Sequence, residues 1–102
     1  MQSAAAEGAL LAGDVARRRT TEPFARVHSG VLVEQAKSAG KSLRVATAPA
    51  RLEADRRRAA AVAADVETAL DRLHAEPTDR ALARRIEREL RRDADRAGEL
   101  AG

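Results

Sequence analysis

The side chains with chemistry to offer are few: two histidines, four serines and seventeen arginines, in a 102-residue chain with no cysteine, tyrosine or tryptophan. Without cysteine there are no disulfides, no thiol catalysis and no cysteine-ligated metal. His74 stands three residues after Asp71 and seven after Glu67, so a helix would gather all three on one face. Asp-x-x-His is half of a dinuclear carboxylate site, but that site needs a carboxylate–histidine pair on each of two helices and further glutamates. The chain holds no second copy. His28 lies four residues from both Phe24 and Leu32, at the border of an apolar stripe. There a packed ring with one solvated nitrogen is expected rather than a ligand or an acid–base group. A hairpin turning near Thr47 would set His28 opposite Val66, with His74 about 12 Å further along at 1.5 Å per residue. On that geometry the two rings do not share a metal.

Nucleophilic catalysis has less support. Ser3, Ser29, Ser38 and Ser42 fall in or beside helical patterns, and none sits on a strained turn of the kind that presents a nucleophile. Ser29 follows His28 directly, and adjacent helix positions do not face each other. Gly40-Lys41-Ser42 matches the tail of a phosphate-binding loop, but the earlier glycine is replaced by Glu34 or Gln35 and no strand precedes it. No catalytic, cofactor-binding or metal-binding residue is therefore assigned.

Charge is the stronger signal. The chain carries 19 basic and 16 acidic residues, a net charge of +3. Residues 1–51 hold eight basic and four acidic side chains, and residues 52–102 hold eleven and twelve, so the excess lies in the first half. Contacts to phosphate or to an acidic partner would use Arg17, Arg18, Arg19, Arg26, Lys37, Lys41 and Arg44. Against a nucleic-acid reader stand long uniform helices and the lack of stacking aromatics. Arg56-Arg57-Arg58 and Arg91-Arg92 sit among acids, and three consecutive residues spread round a helix, so salt-bridged solvated faces are expected. No apolar run reaches the roughly 18–20 residues that span a bilayer. No Trp or Tyr could anchor at a membrane surface. The segment after Met1 lacks the basic and apolar regions of a signal peptide. The cytoplasm is the default compartment, with an exported mature domain as the alternative if Met1 opens a truncated form. Arginine over lysine and abundant alanine point to a GC-rich bacterial coding sequence.

Elements that position these groups follow from periodicity. Thr20-Thr21-Glu22-Pro23, Thr47-Ala48-Pro49 and Glu76-Pro77-Thr78-Asp79 each combine a helix stop or cap with a proline, dividing the chain into four helical pieces. The helices are expected at about 3–19, 22–43, 49–75 and 79–100. Gly8 and Gly13 weaken the first by about 1 kcal/mol each relative to alanine, and only Leu11 and Val15 give it a seam. The second is expected to bury Phe24, Val27, Val31, Leu32, Ala36, Ala39 and Leu43, with Gly40 as an early stop. Leu52, Ala59, Val66 and Leu73 repeat every seven residues in the third, a coiled-coil-like seam. Leu82, Ile86, Leu90, Ala94 and Ala97 line one face of the fourth. Glu53–Arg57 and Glu87–Arg91 are four-residue ion pairs on the charged faces. Asp55 or Arg56 breaks the third seam and Glu34-Gln35 the second, either to control register or because the seam drifts to solvent.

Short links make successive helices antiparallel neighbours. The expected fold is a single all-α domain, an antiparallel four-helix bundle (up-down-up-down) whose first helix is shorter or looser. Ten leucines, seven valines, one isoleucine and one phenylalanine make a thin core for 102 residues. Such a core needs close Ala and Gly packing, or association with a second copy or a protein partner. The function expected is a non-enzymatic helical module for protein contact or self-association; the alternative is a basic protein binding nucleic acid through phosphates. Phe24, Val33, Leu10 and Val45 are the apolar residues left for contact, and Phe24 is expected to serve the core instead.

Overall fold

In the computed structural model four helices follow one another: α1 (Gln2–Ala16), α2 (Glu22–Val45), α3 (Glu53–Ala75) and α4 (Arg80–Ala101), with a single 3-10 turn at Ala50–Leu52. The description covers residues 2–101, without the Ala101 side chain; Met1, and with it the question of the native start, lies outside the described residues, as does Gly102. The expected antiparallel bundle is present. Its helix ends differ from the expected ones for local reasons. Helix α1 stops at Ala16, because Arg18 takes a left-handed conformation (φ 56°). The Arg18 amide then reaches Val15 O at 3.2 Å and the Arg19 amide reaches Asp14 O at 2.7 Å, a Schellman closure. Thr21 caps α2 as expected, its hydroxyl accepting from the Phe24 amide at 3.3 Å. Gly40 does not stop α2, which runs on to Val45. Thr47 caps nothing: α3 opens from the 3-10 turn without a side-chain cap. Asp79 caps α4 through the Leu82 amide at 3.0 Å.

The first helix is the shortest, and its glycines are sites of close approach. Ala4, Ala5, Gly8, Ala9, Ala12, Gly13 and Ala16 are all buried, and α1 packs chiefly along α4. A methyl group at Gly8 would stand 2.7 Å from Leu70 Cδ2 and 2.9 Å from Leu90 Cδ1. One at Gly13 would overlap the Glu87 carboxylate, and one at Gly98 would stand 2.9 Å from Gln2 Nε2. Arg80 donates to Ala16 O at 3.2 Å at the other end, so α1 and α4 run antiparallel over the whole of α1. Leu32, Val66, Leu70, Leu73, Ile86 and Leu90 fill the centre and are fully buried.

Helices α2 and α3 form the longer hairpin. Gly30 faces His74, Gly40 faces Ala63, and Leu43 O accepts from Arg56 at 2.9 Å. The turn is thus centred near residue 51 rather than Thr47, because the 3-10 turn lengthens the connection. Moving the centre by four residues moves each cross-partner by twice as much. His28 lies level with the end of α3 and not with Val66, which overturns the expected axial separation of the histidines. Arg56, one of the two residues expected to interrupt the seam, ties the hairpin: it bonds Leu43 O and Glu53 together. At 1.5 Å per residue α2 is about 36 Å long and α1 about 22 Å, and Arg96 near the end of α4 reaches only Asp65, well inside α3, so the hairpin tip projects beyond α1 and α4. Gly40 and Val62 are the last buried positions before the tip, and Leu52, expected in the seam, is 44 % exposed.

Two substitutions test this packing. Gly8→Leu lowers unfolding free energy by about 2 kcal/mol or more through overpacking against Leu70 and Leu90, read from urea melts. Arg18→Gly removes the cost of a left-handed non-glycine residue and raises stability by about 0.5–1 kcal/mol; a decrease would contradict the closure described.

Candidate interaction surface

Helix α2 leaves four of its seven larger apolar side chains exposed. Its buried face is Ala25, Ser29, Leu32, Val33, Ala36 and Gly40, mostly small residues that fit close against α3. Phe24, Val27 and Val31 lie on the far side of the helix at 57, 69 and 50 % exposure, and Val45 is 72 % exposed in the last turn. Two expectations are therefore reversed. Val33 is in the core, and Phe24, Val27 and Val31 are not. Phe24 meets only the edge of the His28 ring among aromatic groups, with centroids 5.3 Å apart at 65°. Leu10 is exposed as expected, on the outer face of α1.

The exposed residues form a heptad stripe. Phe24, Val31, Ser38 and Val45 recur every seven residues, with Val27, Glu34 and Lys41 three residues after the first three. All seven are exposed, and this spacing is the seam pattern of a helix with a partner. A shallow groove of about 580 Å³ lies along the stripe, lined by Arg26, Val27, Gly30, Val31, Glu34, Gln35 and His74. Its floor is held by His74, whose Nδ1 lies 2.9 Å from Arg26 O and 3.0 Å from Ser29 Oγ. A carbonyl only accepts, so Nδ1 carries the proton and shares it between the two oxygens. Gly30 makes room for the ring: a methyl group there would stand 3.2 Å from His74 Cε1.

This serine–histidine contact is a clamp between helices. Ser29 is fully buried, and its hydroxyl also donates to Arg26 O at 3.1 Å. Sequence reasoning missed it because the wrong register kept the two residues apart. Nδ1 of His28 is shut in the protein without a hydrogen bond. Among the described residues no group of three His, Asp or Glu side chains is placed to hold a metal.

The seven basic candidates fall in three places. Arg17 crosses to the nearly buried carboxylate of Glu87 at 3.0 Å, Arg18 forms the left-handed turn, and Arg19 pairs with Asp14 at 3.5 Å. Arg26 pairs with Glu22 at 2.9 Å. Lys37 pairs with Glu34 at 3.7 Å, and Lys41 and Arg44 form no ion pair among the described residues. Arg26 and Arg44 are about 27 Å apart along α2 at 1.5 Å per residue, so the seven do not make one phosphate site. Glu87, expected on a charged face, is a buried anion shared by Arg17 and Arg91. Arg56, Arg57 and Arg58 are salt-bridged as expected, to Glu53 and Asp55.

Two carboxylates depart from ordinary behaviour in opposite senses. Hydrogen bonding from Arg56 holds Glu53 down at about 2. Burial pushes Asp93 up, with Asp65 adding to the effect and Arg96, 3.9 Å away, opposing it. No described helix is long and apolar enough to cross a membrane. Known protein families, curated proteins and solved structures were compared with this chain, and none matches it.

The carboxylates predict a signed pH response. Glu53 contributes stability that is complete above its ordinary value of 4.5 and lost as the pH falls toward about 2. Asp93 costs stability at neutral pH, and that cost disappears on acidification through its raised pKa to its ordinary value. Urea melts at pH 7 should therefore show Glu53→Gln less stable and Asp93→Asn more stable than the parent, with both differences closing toward pH 2.

Proposed function

We propose that the chain is a non-enzymatic helical module that works by protein contact, through the outer face of α2. One observation carries the reading: Phe24, Val27, Val31 and Val45 are all at least half exposed and lie on one heptad stripe. Single exposed apolar residues are ordinary, whereas an aligned row on one helix is a surface that another helix can cover. Composition supports the same reading. The chain has nineteen large aliphatic or aromatic residues, and six of them (Leu10, Phe24, Val27, Val31, Val45 and Leu52) are exposed. A chain so poor in such residues leaves a third of them outside its own core. The clamp of Ser29 and His74 serves contact too, by fixing the floor of the groove along the stripe.

Nucleic-acid binding draws less support. Lys37 and Arg44 run beside the stripe and Lys41 on it, but Arg17, Arg19, Arg26 and Lys37 each already face an acid. Binding through phosphates would fall steeply as salt rises.

A photo-reactive benzoylphenylalanine tests the contact face in living cells. At Val31 it is expected to give one discrete covalent product, and at Glu7, on the outer face of α1, none. Equal, diffuse labelling from both positions would remove the reading.

A further inference from the structure

We propose that the occupant of the α2 stripe is a second copy of the same helix, laid antiparallel in a register centred near residue 36. The inference rests on reading this face as a contact surface and adds what covers it. Its basis is the order of residues along the stripe: apolar Phe24, Val27 and Val31, then Glu34, then Ser38 and Lys41, then Val45. Acid and base occupy equivalent heptad positions seven residues apart, a pattern that complements itself only when reversed.

Antiparallel helices pair one seam position with the other across the axis. Centred near residue 36, Val27 meets the partner's Val45 on both sides of the two-fold axis. Val31 lies on the aliphatic stem of the partner's Lys41, and Glu34 lies opposite the partner's Ser38. From there the Glu34 carboxylate is within one turn of the partner's Lys41 ammonium. Lys41 has no ion pair among the described residues of its own chain, so the second copy supplies the acid it lacks. Phe24 then lies past the partner's last helical residue, Val45, beside the projecting tip. The groove formed by Val27, Gly30, Val31 and His74 then receives the valine of the partner's last turn.

Sliding the pairing by one heptad is less favourable. Toward the tip, Glu34 would be set against the partner's Val45; in the other sense, Phe24 would meet the partner's Lys41 and Val31 the partner's Glu34. A parallel pair would stack Glu34 on Glu34 and Lys41 on Lys41, where like charges repel. Glu34 in mid-stripe also sets the face against lipid, where a carboxylate would have to enter the apolar layer.

The test is solution mass by light scattering on a sizing column, from low to high micromolar, with circular dichroism to confirm folding. The parent and Val31→Glu, Glu34→Lys, Lys41→Glu and the Glu34→Lys/Lys41→Glu double variant are compared. The parent is expected to rise to twice the chain mass, and Val31→Glu to stay single while folded. Each charge variant should weaken association about tenfold, and the double variant should recover most of that loss. A dimer that Val31→Glu abolishes but the charge variants leave unchanged would keep the contact face and overturn the register. A dimer indifferent to Val31→Glu would overturn both. A parent that stays single throughout would overturn the second copy as occupant, and the crosslink at Val31 then decides the contact face on its own. Flotation of the folded single chain with anionic vesicles, lost in Val31→Glu, would assign the stripe to lipid and equally overturn the proposal.

Discussion

Two helices can lie backbone to backbone only where neither carries a bulky side chain at the contact, and α1 meets that condition with Ala4, Ala5, Gly8, Ala9, Ala12, Gly13 and Ala16. The rest of the arrangement depends on it. Leu70 and Leu90 reach the α1 backbone at Gly8, and the Glu87 carboxylate reaches it at Gly13. Glu87 can stay at that depth because Arg17, just past the end of α1, returns to it at 3.0 Å. The same economy governs α2, whose buried face is built from Ala25, Ser29, Ala36 and Gly40 around Leu32 and Val33. Small residues gain little from transfer out of water, but they let helices approach and gain from dispersion between close atoms. The consequence is geometric. With the inner face of α2 given to small residues around Leu32 and Val33, Phe24, Val27 and Val31 lie outside it.

That consequence explains which parts of the structure were legible in the sequence. The four helices were, because Thr21, Asp79 and the prolines mark their ends by rules that do not depend on packing. The seams of α3 and α4 were legible from Val62 and Leu82 onward, where leucines and isoleucine at helical spacing face inward. In α2 the same reasoning chose the wrong side. Weighting by size picks out Phe24, Val27 and Val31, whereas burial there follows fit against α3. For α1, propensity counts Gly8 and Gly13 as weaknesses, and only their neighbours in space reveal them as contacts. Register was beyond reach for another reason: one 3-10 turn at Ala50–Leu52 moved every partner across the hairpin, and with it the meeting of Ser29 and His74.

The polar residues divide by the same logic. Arg56, Ser29, His74 and Glu87 join elements, each bonding to a group distant in sequence. Arg26, Arg57 and Arg58 pair within their own helices and add little to stability, as exposed ion pairs do. Lys41 belongs to neither group. It stands on an apolar stripe that the rest of the chain leaves uncovered, seven residues after an acid in the equivalent position. The uncovered surface is therefore defined less by any reactive group than by which side of α2 the fold does not use.

The central proposal is that burial missing from the single chain is completed by a second copy on that side. Its most direct measurement is the thermal midpoint of the parent protein across a hundredfold range of concentration, beside the same series for Val31→Glu. Association that buries the stripe stabilises the folded state by mass action, so the parent midpoint should climb with concentration while that of Val31→Glu stays level. Two flat series at the same midpoint would mean that small-residue packing alone sustains the fold, and would contradict the account.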